Sequence, residues 1–160
     1  MKPPSGKGRR VDCQDLSGRV QSYNAEELRF RPAAYGMLVR DGTILLARSR
    51  FTGLWDFPGG GVEAFESLAE GMAREFFEET GFHVRAESLV YVAEGFIAMF
   101  GHPYHSLRFY YRCSPVDGVA EALQPDVNEV AELRWWPLDG IPRTQMHTHD
   151  VQAFQHLVNA

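Results

Sequence analysis

Three glutamates, Glu75, Glu78 and Glu79, stand at i, i+3 and i+4 of a stretch that reads as helix, so their carboxylates share one face. At about 100° per residue, that face borders an apolar stripe of Leu68, Met72 and Phe76. The carboxylates therefore belong at the edge of a core and not on a fully solvated side. Like charges so spaced repel by a few tenths of a kcal/mol even when exposed. Arg74 can pair with Glu78, but one arginine does not neutralise the group. A hard divalent cation does, because Mg²⁺ takes oxygen ligands, commonly one or two carboxylates with waters and substrate phosphates. Just upstream, Gly59, Gly60 and Gly61 permit a sharp turn and a close backbone approach. Glu66 adds a carboxylate near the helix start, where backbone N–H groups and the macrodipole favour it. A glycine loop, an acidic helix face and phosphate ligands together describe metal-assisted hydrolysis of a phosphoryl bond. Taken alone, the three glutamates suit an acidic solvated helix equally well.

The whole segment is more specific. Gly60, Glu66, Arg74, Glu75, Phe76, Glu78, Glu79, Gly81 and Phe82 fill every specified position of the Nudix box, G-x5-E-x7-R-E-U-x-E-E-x-G-U, where U is a bulky apolar residue. With average residue usage such a match arises by chance with a probability on the order of 10⁻⁹ per start position. The chain thus resembles the Nudix hydrolases, MutT-like proteins that hydrolyse a nucleoside diphosphate linked to another group. The resemblance implies an α+β fold, an α/β/α sandwich in which a mixed β-sheet is flanked by the box helix and a C-terminal helix. It implies that Glu75, Glu78 and Glu79 ligate Mg²⁺ (or Mn²⁺), that Gly60 adds a backbone carbonyl, and that Glu66 and Arg74 form the ion pair holding the loop to the helix. Bound metal would clamp the diphosphate oxygens and lower the pKa of an attacking water. The general base is either a box glutamate or a downstream acidic residue, whose rough position Glu129 matches.

Other candidates lie outside the box. Arg48 closes a strand ahead of the glycine loop, where related enzymes hold substrate phosphate, and Arg50 is a second residue of that kind. Tyr35, Phe57 and Trp55 have rings able to stack on a nucleobase, although aromatic residues at strand positions commonly serve the core. His102 and His105 read as a hairpin loop between two long strands, and His147 and His149 as a surface tail. Gln145 follows Ile141-Pro142 where some relatives that remove oxidised guanine place an amide. The coenzyme A pattern, the aromatic-proline array of NADH pyrophosphatases and the downstream proline of ADP-ribose enzymes are not seen, and Ala98 stands in the place of the last. A pocket lined by Tyr35, Phe57 and residues 89–99 would stack on any flat base. It would separate nucleotides by only roughly tenfold, since an unmet apolar contact is worth about 1–3 kcal/mol.

The elements that must position these residues are legible in outline. Ser17-Gly18 turns a short hairpin between residues 11–16 and 19–23. Ala33–Arg40 is a strand that Asp41-Gly42 returns into Thr43–Arg48. Residues 51–63 read as a loop. Ser67 with Glu70 is a capping box, and Gly81 sits where a left-handed C-terminal glycine belongs. Strand-like runs follow at 84–86, 89–99, 107–113 and 132–136, punctuated by Asp117-Gly118 and Asp139-Gly140, and residues 150–158 form a second helix. Strands predominate and the helices are separated along the chain, which favours an α+β or mixed sandwich over a regular βαβ fold.

The 160 residues suit one domain: residues 1–10 read as a disordered tail, and 11–160 as a single Nudix domain with its core about 30–158. Hydrophobic residues make up 44% and charged residues 23%, ordinary for a globular protein. The net charge of -5 gives no basic stripe for an extended nucleic-acid backbone. Cys13 and Cys113 form no metal-binding pair and read as reduced thiols, and no apolar run is long enough to span a membrane. The expectation is a cytoplasmic enzyme acting on a small nucleotide, without membrane association, for which a homodimer is left open. The alternatives are an RNA 5′-end pyrophosphohydrolase and a non-catalytic nucleotide-binding module. Loss of a box glutamate would mark the latter, and none is lost.

Overall fold

The computed structural model describes residues 8–117 and 122–160. Most of the tail read over residues 1–10, and Gly118 of the Asp117-Gly118 turn, lie outside the described residues. The strands are β1 (Arg10–Asp15), β2 (Val20–Asn24), β3 (Arg29–Arg40), β4 (Thr43–Ser49), β5 (Trp55–Asp56), β6 (Gly59–Gly61), β7 (Val84–Met99), β8 (His102–Pro115) and β9 (Val130–Pro137). The helices are α1 (Leu68–Thr80) and α2 (Thr148–Val158). The described residues form two compact units, one within 1–31 and 94–107, the other within 32–93 and 108–160.

In the larger unit, β3 carries the architecture. Its residues alternate between two faces, as the period of a strand requires. Ala33, Tyr35 and Met37, with Ile44 and Leu46 of β4, pack against Ala153, Phe154 and Leu157 of α2. Ala34 and Leu38, with Leu45 of β4, pack against Met72 and Phe76 of α1 and against Phe82, Val84 and Cys113. Each helix therefore covers its own face of the sheet, which is the α/β/α sandwich. Phe76 and Phe154 are essentially fully buried, and truncating either to alanine should cost about 3–5 kcal/mol. Gly36 completes the alternation on the α1 face: a Cβ there would stand 2.7 Å from the Phe76 ring and 2.9 Å from the Met72 sulfur. The helix thus lies directly on the backbone of β3.

The local signals hold. Asp41 and Gly42 both adopt positive φ, 49° and 74°, the geometry of a two-residue hairpin turn, and β3 and β4 pair Arg40↔Thr43 and Val39↔Ile44. The Ser67 side chain accepts from Glu70 N–H at 3.2 Å while the Glu70 carboxylate accepts from Ser67 N–H at 2.8 Å. Gly81 ends α1 at φ 78° and donates to the Phe77 carbonyl. Several readings need correction. Residues 84–86 and 89–99 are one strand. The 51–63 loop contains β5, paired to β4, and β6, paired to β3; both bonds depend on distant partners. Arg10 belongs to β1, where its guanidinium donates to the Ser22 carbonyl and to Asn24.

In the smaller unit, β1 and β2 form the antiparallel hairpin, and β1 runs parallel to β7 through Gln14↔Ile97 and Asp15↔Ala98, so parallel and antiparallel pairings both occur. The β7–β8 connection is only Phe100-Gly101, both at positive φ. His105 is thereby a strand residue and not part of a loop. It bonds Glu94 at 3.1 Å and stacks on Phe96. Both cysteines are buried and unpaired. Among the described residues no helix is long and apolar enough to cross a membrane.

The packing of α1 on β3 is directly testable. Gly36→Val should destabilise the protein by about 1–3 kcal/mol, the usual cost of overpacking, measured by urea unfolding. A change below about 0.5 kcal/mol, the range of an unimportant surface substitution, would show that α1 does not rest on this backbone.

Candidate active site

The glycine loop is built against β3. Gly61, Gly60 and Gly59 pair with Ala33, Ala34 and Tyr35, and Gly36 N–H donates to the Pro58 carbonyl at 2.8 Å. Gly59 has φ 152°, and a Cβ there would fall 2.2 Å from the Ala34 carbonyl oxygen, so no side chain fits. Its N–H donates to Glu79 Oε2 at 3.0 Å. A Cβ on Gly60 would meet Glu75 Oε2 at 2.8 Å, which places the Glu75 carboxylate directly on the loop. Two of the three helix glutamates therefore meet the loop backbone, one by hydrogen bond and one by close contact.

Arg74 organises the opposite side of the same carboxylates. Its Nε and Nη2 donate to Glu66 Oε1 and Oε2 at 2.6 and 3.0 Å, the bidentate arrangement that makes such pairs strong. Nη2 also donates to the Gly61 carbonyl, and Nη1 reaches Glu75 at 2.9 Å and Glu78 at 3.2 Å. Glu66 in turn accepts from Glu63 N–H. Loop, helix start and helix face are thus tied through one guanidinium. The Arg74 hydrogen bond, ahead of that from Glu63, holds the Glu66 carboxyl below its ordinary range.

The remaining carboxylates are pushed the other way. Burial raises Glu75, against the opposing pull of Arg74, and Glu78 and Glu129 raise it further. Burial raises Glu79 strongly, with Asp56, Glu75 and Glu129 adding to the effect and the Gly59 N–H opposing it. Asp56 is itself raised well above the usual carboxylate range by burial and by Asp150, with Arg108 opposing. The fold thus assembles a partly dehydrated group of like charges from β5, α1 and the segment before β9. Among the described residues no three carboxylate, histidine or thiol groups close into a cage around a metal. The donor set is all oxygen, which suits Mg²⁺ or Mn²⁺, and Mg²⁺ ordinarily keeps waters and substrate oxygens in its shell and needs no closed protein cage.

The sequence candidates separate clearly. Glu75, Glu79 and Gly60 come together, Glu129 lies near enough to act on both carboxylates, and Glu78 stands further out, 52% exposed beside Arg74. Arg48 is exposed and donates to the Gly53 carbonyl. Arg50 donates to the Val127 carbonyl, and its backbone N–H bonds the Glu129 carbonyl, which anchors that segment. Phe57 and Trp55 are core residues at 1% and 3% exposure, so neither offers a free ring to a ligand. Tyr35 stacks on Tyr110 and lies under the Arg108 guanidinium. Gln145 is exposed in a short turn and His147 is half-buried at the cap of α2. Asp56, Arg108 and Asp150 escaped the sequence reading. The one local sign was an aspartate between Trp55 and Phe57, a polar residue inside an apolar run.

The chain is similar to proteins of one family. The NUDIX domain model matches residues 29–157. A MutT-like protein of Streptomyces ambofaciens is 36% identical over 130 residues, covering 78% of this chain and 75% of that protein. The NAD-capped RNA hydrolase NudC of Pseudomonas aeruginosa is 32% identical over 145 residues, 81% of this chain but only 49% of that one, so the chain spans about half of that relative's length. Among solved structures, a MutT Nudix hydrolase from Burkholderia pseudomallei superposes with a TM-score of 0.62 at 24% identity, covering 81% of this chain and 98% of that one. The chain belongs to the Nudix family, and the fold is the Nudix fold. It is a hydrolase of the class that acts on pyrophosphate bonds.

The electrostatics predict the sign of one substitution. A raised folded-state pKa means that the Glu79 carboxyl opposes folding wherever it would be ionised in the unfolded chain. The opposition is present above the raised value and vanishes below the ordinary carboxylate pKa, where the folded and unfolded states are both protonated. Glu79→Gln keeps the acceptor for Gly59 N–H and removes the charge. Without metal it should raise Tm at pH 8 and leave it unchanged near pH 4. A lower Tm at pH 8 would contradict the assignment.

Proposed function

We propose that this protein hydrolyses the diphosphate linkage of a nucleoside di- or triphosphate, or of a nucleoside diphosphate derivative, at the edge of α1 that faces the glycine loop. The observation that carries the reading is the pair Glu75 and Glu79, pressed against Gly60 and Gly59 and left with Arg74 as the neighbouring cation. In this reading Glu75 and Glu79, with Glu78 and the Gly60 carbonyl, hold a divalent cation, Mg²⁺ or Mn²⁺. When bound, that cation neutralises the diphosphate oxygens and acidifies an attacking water. Glu66 and Arg74 keep the loop at its distance from the helix. A carboxylate of the Glu75, Glu79 and Glu129 group takes the proton from the water, and the leaving phosphate oxygen departs along the line of attack. Arg48 meets the outer phosphate. The net charge of -5 favours a small nucleotide over an RNA end.

The test is a screen of nucleoside di- and triphosphates, nucleotide sugars and dinucleotide polyphosphates with Mg²⁺, with phosphate release measured in the presence of a coupling phosphatase. Hydrolysis should disappear in excess EDTA. It should fall at least a hundredfold in Glu79→Gln and in Glu75→Gln, a loss on the order of 10² or more being typical when a group that stabilises transition-state charge is removed. Glu70→Gln should change it little, since Glu70 serves the helix cap. Activity that survives EDTA, or Glu70→Gln as damaging as Glu79→Gln, would refute the reading. A folded protein that binds nucleotides and cleaves none would be the non-catalytic module instead.

A further inference from the structure

Beneath the Tyr35 face of β3 lies a second polar group that the proposed reaction does not use. Asp150, in the first turn of α2, is wholly buried. Its Oδ1 accepts from the Tyr110 hydroxyl at 2.6 Å and from Arg108 Nη2 at 3.1 Å, while Oδ2 has no partner. Arg108 carries five N–H donors, and the hydrogen bond to Asp150 is the one it makes among the described residues; its Nε is buried and unpartnered. The guanidinium lies 4.6 Å from the Tyr35 ring centroid, a contact that fixes its plane. A pair that served only to hold α2 on the sheet would be expected to satisfy its own atoms, because each buried unpaired group costs about 1–3 kcal/mol. Both partners instead keep an unmet polar atom, and the Arg108 side chain remains 16% exposed.

Its position matters. The Tyr35 backbone pairs with Gly59, and Gly59 N–H is held by Glu79. Arg108 therefore stands over the residue that flanks the glycine loop, on the sheet face opposite α1. A diphosphate bound at that loop would have its attached group within reach of this face. A planar fork of donors prefers two adjacent acceptors in a plane, and guanine offers such a pair in N7 and O6. Adenine replaces O6 with an amino donor, which would face the fork and leave its N–H groups buried without a partner.

We propose that Arg108 is the specificity-determining residue of the site, taking the keto and ring-nitrogen acceptors of a guanine-type base, with Asp150 as its positioning residue; this rests on the nucleotide reading of the function. It supplies a polar recognition group for which the sequence offered one candidate, Gln145, a residue that also reads as a surface glutamine. It also reverses the expectation that nucleotides would be separated by no more than roughly tenfold.

The experiment measures binding, so that it does not depend on turnover. The α,β-methylene analogues of GDP and ADP are titrated by calorimetry with Mg²⁺ into the whole protein and two variants. Arg108→Lys keeps a charge opposite Asp150 and loses the fork. The double variant Arg108→Met with Asp150→Asn removes both charges, so that neither is left buried alone. The wild type should bind the guanine analogue at least tenfold more tightly, and the ratio should fall below threefold in both variants. A wild-type ratio below threefold, or a preference surviving in either folded variant, would overturn the assignment; if the double variant does not fold, Arg108→Lys decides alone. Selective, Arg108-dependent binding without hydrolysis would remove the proposed reaction and leave this assignment standing, and normal hydrolysis with a flat ratio would do the reverse.

Discussion

Like-charge repulsion among carboxylates that are partly removed from water is the constraint around which the larger unit is built. Left to itself, a helix bearing Glu75, Glu78 and Glu79 on one edge would splay those side chains into solvent. Three contacts prevent that for two of them. Gly59 N–H holds Glu79, the missing side chain of Gly60 makes room for Glu75, and Arg74 bridges Glu75 to Glu66. Each depends on α1 lying at a set distance from the loop, and that distance is fixed by Phe76 and Met72 resting on the bare backbone of Gly36. Packing energy from the core thus offsets an electrostatic cost at its edge. A site that concentrates negative charge in this way is poised to accept a cation together with an anionic substrate.

The parts of this arrangement that were legible in the sequence are those with a local cause. The Ser67–Glu70 capping box, Gly81 at the end of α1 and the Asp41-Gly42 turn each depend on residues within a few positions, and the structure reproduces all three. The box residues were legible for a different reason, since their spacing is itself the pattern. What failed depended on distant partners. β5 and β6 are strands only because β4 and β3 pair with them, and the strand from Val84 runs unbroken through a stretch whose local signals suggested two. For Phe57 and Trp55 the sequence left a stacking ring and a core residue both open, and their burial at 1% and 3% exposure gives them to the core.

The largest omission has the same origin. Arg108 and Asp150 are 42 residues apart in sequence and meet only when α2 packs on the face of the sheet in which β8 lies beside β3. Neither residue type nor spacing marks them, whereas the unmet atoms Arg108 Nε and Asp150 Oδ2 do so at once in three dimensions. The two faces of β3 consequently carry different chemistry. Toward α1 the sheet supports an oxygen-rich edge suited to a metal and a diphosphate, and toward α2 it supports a fixed cation on an aromatic ring. Tyr35 joins them, with its backbone paired to the glycine loop and its ring under the guanidinium.

The claim that a cation relieves the repulsion at the α1 edge is tested most directly by thermal unfolding in rising Mg²⁺ or Mn²⁺, with no nucleotide present. A ligand that binds only the folded state stabilises it by about 2.7 kcal/mol at a hundred times its Kd. The account predicts that the Tm of the wild type rises steadily with metal at pH 8. It predicts that the Glu75→Gln and Glu79→Gln proteins begin from a higher metal-free Tm and rise little. Equal shifts in all three proteins, or none in the wild type, would contradict it.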